Sequence, residues 1–189
     1  MRVVVEIDQA TVRYVQLRLG EFDKRAPNAI SNALNRGMSN INTNVRKEIR
    51  KDYHIKAGDI NATLSKIRAT RGSLSSGVVS KGSLIGLDKF KVSPRTINPN
   101  RKTPLTVAVK KSGGSKVPGA FMADISGPKL FMRIKKSRLP IRRLFGPSVP
   151  QMLGRKDIRD KIEQDGRDTF ERRLQHEISR ILDMGRNKR

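Results

Sequence analysis

"PLTVAVKKSGGSKVPGAFMADISGPKLFMRI", residues 104–134, decides the fold class of this chain. Short runs rich in β-branched and aromatic residues alternate with clusters of Gly, Ser and Pro, the pattern of strand–turn–strand units. "SGPK" at 126–129 reads as the turn of one such unit. Upstream, "LSKIRAT" (64–70) and "SGVVSKG" (76–82) repeat the pattern. Residues 62–153 therefore read as a small antiparallel sheet with long loops. The longest loop expected is "SPRTINPNRKTP" at 93–104, with three prolines and three basic residues.

The flanks have a different period. Before the β region, residues 1–56 read as helical. Asp8 is placed to cap a helix whose apolar positions Val12, Val15, Leu19 and Phe22 recur every three or four residues. Pro27 suits the first turn of a second helix, where its missing N–H costs nothing. Ile30, Leu34, Met38, Ile41, Val45 and Ile49 then hold one face for roughly 25 residues, or ~37 Å. Gly37 interrupts that face and suggests close packing against a neighbour. After the β region, Ile158, Ile162, Phe170, Leu174, Ile178 and Leu182 give a long amphipathic helix over 155–185, with Gly185 as its stop and a basic tail at 186–189. The expected fold is α+β in a single domain, 1–189: two N-terminal helices, the sheet, and a long C-terminal helix.

Charge narrows the function. The chain of 189 residues holds 41 Lys and Arg against 17 Asp and Glu, a net of +24. Like charge in that excess answers an acidic partner: nucleic acid, an anionic membrane surface or an acidic protein assembly. It is unevenly spread. Residues 61–136 carry 16 basic and 2 acidic residues, a net of +14, against +4 for residues 1–60 and +6 for residues 137–189. Lys110, Lys111, Lys116, Lys129, Lys135, Lys136, Arg138, Arg142 and Arg143 form the densest group and are the candidate contacts to DNA or to an acidic protein. Stacking aromatics are scarce, with six Phe, two Tyr and no Trp, which disfavours single-strand or base-specific readout.

Other chemistry has little support. There are no cysteines, so neither a disulfide framework nor a thiolate metal site is available. The two histidines, His54 and His176, stand in unlike contexts without a third ligand at matching spacing. Asp88 and Asp124 are the only carboxylates of the β region, fewer than a nuclease metal cluster normally uses. The glycine runs lack phosphate-loop spacing. No apolar stretch approaches the ~18 residues of a membrane span, and the N-terminal valine run is too short for a signal peptide. The expectation is a non-enzymatic protein without cofactor, cytosolic or built into a particle assembled in a cytosol.

A final segment stands apart. "SRLPIRRLFGPSVPQML", residues 137–153, packs three prolines, three arginines and several large apolar residues together. Pro140, Pro147 and Pro150 predict an extended, pre-ordered path. Ile141, Leu144, Phe145 and Val149 offer apolar anchors, either to the domain's own helices or to a docking neighbour. Arg142 and Arg143 would point to opposite faces of an extended run.

The string "VPGAFMADISGPKLFMRIKKSRLPIRRLFGPSVPQML" (117–153) resembles the core of the phage minor tail protein Z family, the tail completion proteins of long-tailed phages. The matching elements are Val117-Pro118-Gly119-Ala120-Phe121, Phe131-Met132-Arg133, Leu139-Pro140-Ile141 and Gly146-Pro147-Ser148-Val149-Pro150, followed by a basic–acidic helix. The resemblance implies a structural subunit of the virion at the head-proximal end of the tail, needed for head–tail joining and for placing the DNA end. It implies tail terminator, tail tube and head–tail connector proteins as partners, a homo-oligomeric ring, with six-fold rings known for similar neck proteins, and no catalytic residues. The alternative left open by the residues themselves is a non-specific nucleic-acid-binding architectural protein.

Overall fold

The computed structural model describes residues 2–186, with side chains for 7–185. The basic tail expected at 186–189 lies outside the described residues, apart from the backbone of Arg186. The fold is α+β, with long helices towards both ends and small antiparallel sheets. The chain divides into two compact units: residues 1–45, 64–81 and 153–189, and residues 46–63 and 82–152.

In the first unit, strand β1 (Arg2–Glu6) leads to helix α1 (Gln9–Leu19). Asp8 caps α1 as its spacing requires, accepting a bond from the Thr11 N–H at 2.8 Å. A 3-10 turn, Gly20–Arg25, precedes helix α2 (Ala26–Asp52), which carries Pro27 in its first turn. Strands β2 (Leu64–Ile67) and β3 (Ser75–Ser80) join β1 in a sheet of order β1-β3-β2. The N-terminal valine run is thus a strand, which the sequence reading did not foresee: three consecutive valines show no alternation to mark one.

Helix α5 (Lys156–Arg186) completes this unit. Val15, Leu19, Ile30 and Leu34 meet Phe170, Leu174 and Ile178 in one buried cluster. Leu182 is only half-buried, and Ile181 takes the buried place instead. Glycines at the α2–α5 contact let the helices approach: a Cβ on Gly37 would lie 3.4 Å from the Gly166 carbonyl oxygen, and one on Gly166 would lie 2.7 Å from Ile41 Cδ1. Gly185 does not stop α5, which continues to Arg186; the Phe22 ring occupies the space where a side chain would stand. Asn35 clamps the chain after β2, donating to the Ala69 carbonyl and accepting from the Ala69 N–H, both at 3.0 Å.

The second unit takes the last turns of α2, from Arg46, and the short helix α3 (Ala57–Asn61). Its strands are β4 (Ile85–Gly86), β5 (Lys91–Ser93), β6 (Leu105–Lys110), β7 (Gly113–Val117), β8 (Ala120–Asp124), β9 (Pro128–Arg133), β10 (Ile141–Arg143) and β11 (Phe145–Gly146). They form three antiparallel sheets rather than one, ordered β5-β6-β7, β10-β9-β8 and β11-β4. Val92, Leu105, Val107, Ala120, Met122 and Leu130, from the two three-stranded sheets, make a shared core. The "SGPK" turn is real: Ser126 and Gly127 have φ of 54° and 93°, and the Gly127 N–H donates to Asp124 Oδ1 at 3.0 Å. The stretch 93–104 is an exposed loop, with only Arg101 half-covered.

Proline order in the 137–153 segment differs from the expected single extended path. Residues 141–146 are extended, but Val149–Leu153 is a helical turn, α4. Ser148 and Gln151 form a capping box: the Ser148 N–H donates to Gln151 Oε1 at 2.8 Å, and the Gln151 N–H donates to Ser148 Oγ at 3.4 Å. Pro150 therefore sits inside a first helical turn, where it is tolerated.

Candidate functional site

The nine basic residues singled out from sequence all belong to the second unit but occupy separate elements. Lys110 ends β6, opposite Gly113, and Lys111 follows it in the turn to β7. Lys116 lies on the edge strand β7, opposite Thr106. Lys129, on β9, donates to the Ile125 carbonyl at 2.7 Å. Lys135, Lys136 and Arg138 are exposed in the bend between β9 and β10, which is closed by the Ile134 N–H donating to the Pro140 carbonyl at 3.1 Å. Arg142 is exposed on the edge strand β10, opposite Met132.

Arg143 differs from the rest. It holds Asp88 with Nη2 at 3.0 and 3.2 Å from the two carboxylate oxygens, and its guanidinium lies 5.3 Å from the Phe145 ring centre. Gly86 makes the pair possible, because a Cβ there would collide with both the guanidinium and the carboxylate. The two arginines point to opposite faces, as an extended run requires.

The proposed docking residues divide in the same way. Val149 is fully buried and Ile141, Leu144, Pro147 and Pro150 are half-buried, whereas Pro140 and Phe145 are exposed, as is Leu139 beside them.

The carboxylates of this unit are engaged locally. Its residues hold 20 Lys and Arg against 5 Asp and Glu, a net of +15. Glu48 pairs with Lys51 at 2.7 Å, Asp59 with Lys89, Asp88 with Arg143, and Asp124 accepts from its turn. Few acids are left to offset the remaining cations, so the unit presents a strongly positive surface. His54 and His176 are apart from any metal-capable group; among the described residues no cluster of three or more His, Cys, Asp and Glu could hold an ion.

Sequence reading missed one convergence of positive charge. A pocket of about 290 Å³ is walled by Arg50, Lys56, Lys89, Lys91, Arg95 and Lys111, with His54 also in its lining. Only Lys111 belongs to the group chosen from sequence. Three backbone links assemble the pocket: a bridge between Tyr53 and Lys110, the His54 N–H donating to the Val109 carbonyl at 2.9 Å, and the Lys111 N–H donating to the Asp52 carbonyl at 2.7 Å. The local signal was present in "DKFKV" (88–92), where exposed Lys89 and Lys91 alternate with buried Phe90 and Val92.

Among the described residues no helix is long and apolar enough to cross a membrane. Compared with protein-family models, curated proteins and solved structures, the chain shows no significant match to any of them.

Proposed function

We propose that this chain is a structural assembly subunit of a phage virion, a tail completion protein at the head-proximal end of the tail, with no catalytic step of its own. The observation that carries the reading is the second unit's +15 charge, whose carboxylates are largely tied up locally and which therefore calls for an external polyanion. The resemblance of residues 117–153 to the tail completion family supplies the setting. In that setting copies form a ring, with tail tube, tail terminator and connector proteins as neighbours and the DNA end in the channel.

Electron microscopy of tails assembled with and without the protein tests this. Density at the head-facing end that vanishes when the protein is omitted is the expected result; normal head joining without it overturns the reading. Exposed Leu139 and Phe145 give a second handle. Changing both to Ser leaves stability within about 0.5 kcal/mol, as for surface positions, and reduces incorporation into tails.

A second reading, a non-specific nucleic-acid-binding architectural protein, draws on the same charge. It predicts duplex DNA binding as tight as binding to tails, with a steep loss of affinity as salt rises.

A further inference from the structure

We propose that the pocket walled by Arg50, Lys56, Lys91, Arg95 and Lys111 seats a backbone phosphate of duplex DNA, contacted without regard to base sequence.

The pocket is built from three stretches of chain far apart in sequence: the end of α2 with the residues after it, the segment 89–95, and the turn after β6. Backbone bonds fix the first to the third, as described above. Arg95 is set by donating from Nη2 to the Asp88 carbonyl at 3.2 Å, and Asp88 is itself held by Arg143. The backbone that carries the cations, and the Arg95 guanidinium, are thus placed before any ligand arrives, which limits part of the ordering that binding must impose.

Most of these cations lack a counter-charge from the chain itself. Lys89 is matched by Asp59. Arg50, Lys56, Lys91 and Lys111 have no side-chain partner among the described residues, and no Asp or Glu lines the pocket. Like charges converging on so small a space repel one another unless a negative group comes between them. Tyr53 and Phe90, 5% and 3% exposed, also line the pocket and anchor the backbone that carries these cations.

The donor set suits a phosphodiester. Two guanidiniums, which can give paired N–H groups to an oxyanion, stand among three lysine ammoniums that act as point charges. An acidic peptide would also call for spaced side-chain pockets to fix its register. Every charged side chain in the walls here is positive. Duplex DNA, with one charge per ~1.7 Å of axis, supplies a regular polyanion for such a site.

This inference rests on the polyanion contact in the reading above, and the following experiment separates the two. The full chain is titrated with a fluorescent 20-base-pair duplex at salt concentrations from about 50 to 300 mM. Far-UV circular dichroism checks that each variant is folded. Arg50→Gln with Arg95→Gln is expected to weaken binding at least about tenfold and to reduce the log–log salt slope by about 1 to 2. A charge-matched control, Arg13→Gln with Arg173→Gln in the first unit, is expected to lose less than about threefold.

Inorganic phosphate should compete with the duplex on the wild-type protein and lose that effect on the pocket variant. Equal losses for pocket variant and control overturn the phosphate site and leave the assembly reading standing. Phosphate binding that DNA does not displace assigns the pocket to a small anion and also overturns it. Pocket-dependent binding of poly-glutamate without DNA binding gives the site to an acidic protein. A wild-type chain that binds neither polyanion removes both proposals.

Discussion

Arg143 and Asp88, 55 residues apart, face each other with Nη2 3.0 Å from Oδ1 and 3.2 Å from Oδ2, next to the backbone of Gly86. The contact ties strand β10 to the 3-10 turn after β4 and, through the Asp88 carbonyl, positions Arg95. Asp88 is nearly buried, while the Arg143 side chain keeps 30% of its exposure.

Breaking this pair by changing one partner leaves a largely buried group uncompensated. Arg143→Met is expected to lower unfolding free energy by about 1–3 kcal/mol, at the lower end of buried pairs because the guanidinium is partly solvated. Urea denaturation measures it. Arg143→Met with Asp88→Asn should cost less than the two single changes added together, since the pair acts as a unit. Additive losses would show that the contact carries no coupling energy.

The α2–α5 crossing gives a contrast between two glycines. A Cβ on Gly37 meets its nearest neighbours at 3.4 and 3.5 Å, ordinary contact, whereas one on Gly166 is forced to 2.7 Å from two atoms of Ile41, which is fully buried. Gly37→Ala should therefore be neutral or stabilising by up to about 1 kcal/mol, the helix-propensity gain. Gly166→Ala should destabilise by about 1–2 kcal/mol, because overpacking outweighs that gain. Thermal unfolding of the two variants decides it, and equal shifts would contradict the crossing geometry.

The cap of α1 sets a pH dependence. Asp8 is held below the ordinary carboxylate range, first by the Thr11 hydroxyl and then by the Thr11 N–H. Its folded-state value is lower than its unfolded one, so the stability it contributes is present in full above the ordinary range. That contribution is lost as pH falls through the depressed value. Hydrogen exchange at the α1 amides should show extra opening in acid, below about pH 4, and Asp8→Asn should remove most of that pH dependence. A profile unchanged by the substitution would place the acid-sensitive group elsewhere.

Much of this fold was legible because its long helices obey one rule. Ile30, Leu34, Met38, Ile41, Val45 and Ile49 are all buried, as their spacing demands. The hairpin of β8 and β9 was equally plain, since Ser126 and Gly127 adopt the backbone that only a turn sequence tolerates cheaply. The valines of β1 were opaque because a strand's partner lies over 70 residues away, at β3, and pairing leaves no local mark. The basic pocket was opaque for the same reason. Arg50 and Lys56 sit in a stretch of nearly balanced charge, and the links from Asp52, Tyr53 and His54 to residues 109–111, with the β5–β6 pairing, bring them beside Lys91, Arg95 and Lys111. Arg143 was misplaced among the outward cations because its partner, Asp88, is equally remote in sequence.

Each three-stranded sheet has a border strand with a basic side chain exposed on it: Lys66 on β2, Lys91 on β5, Lys116 on β7 and Arg142 on β10. Open borders invite another chain to add a strand, and lysine or arginine there discourages it. Two free copies approaching border to border repel until their charges are screened, within a Debye length of ~8 Å at physiological salt. Positive charge on the borders therefore opposes edge-to-edge pairing of free copies, and rising salt weakens that opposition.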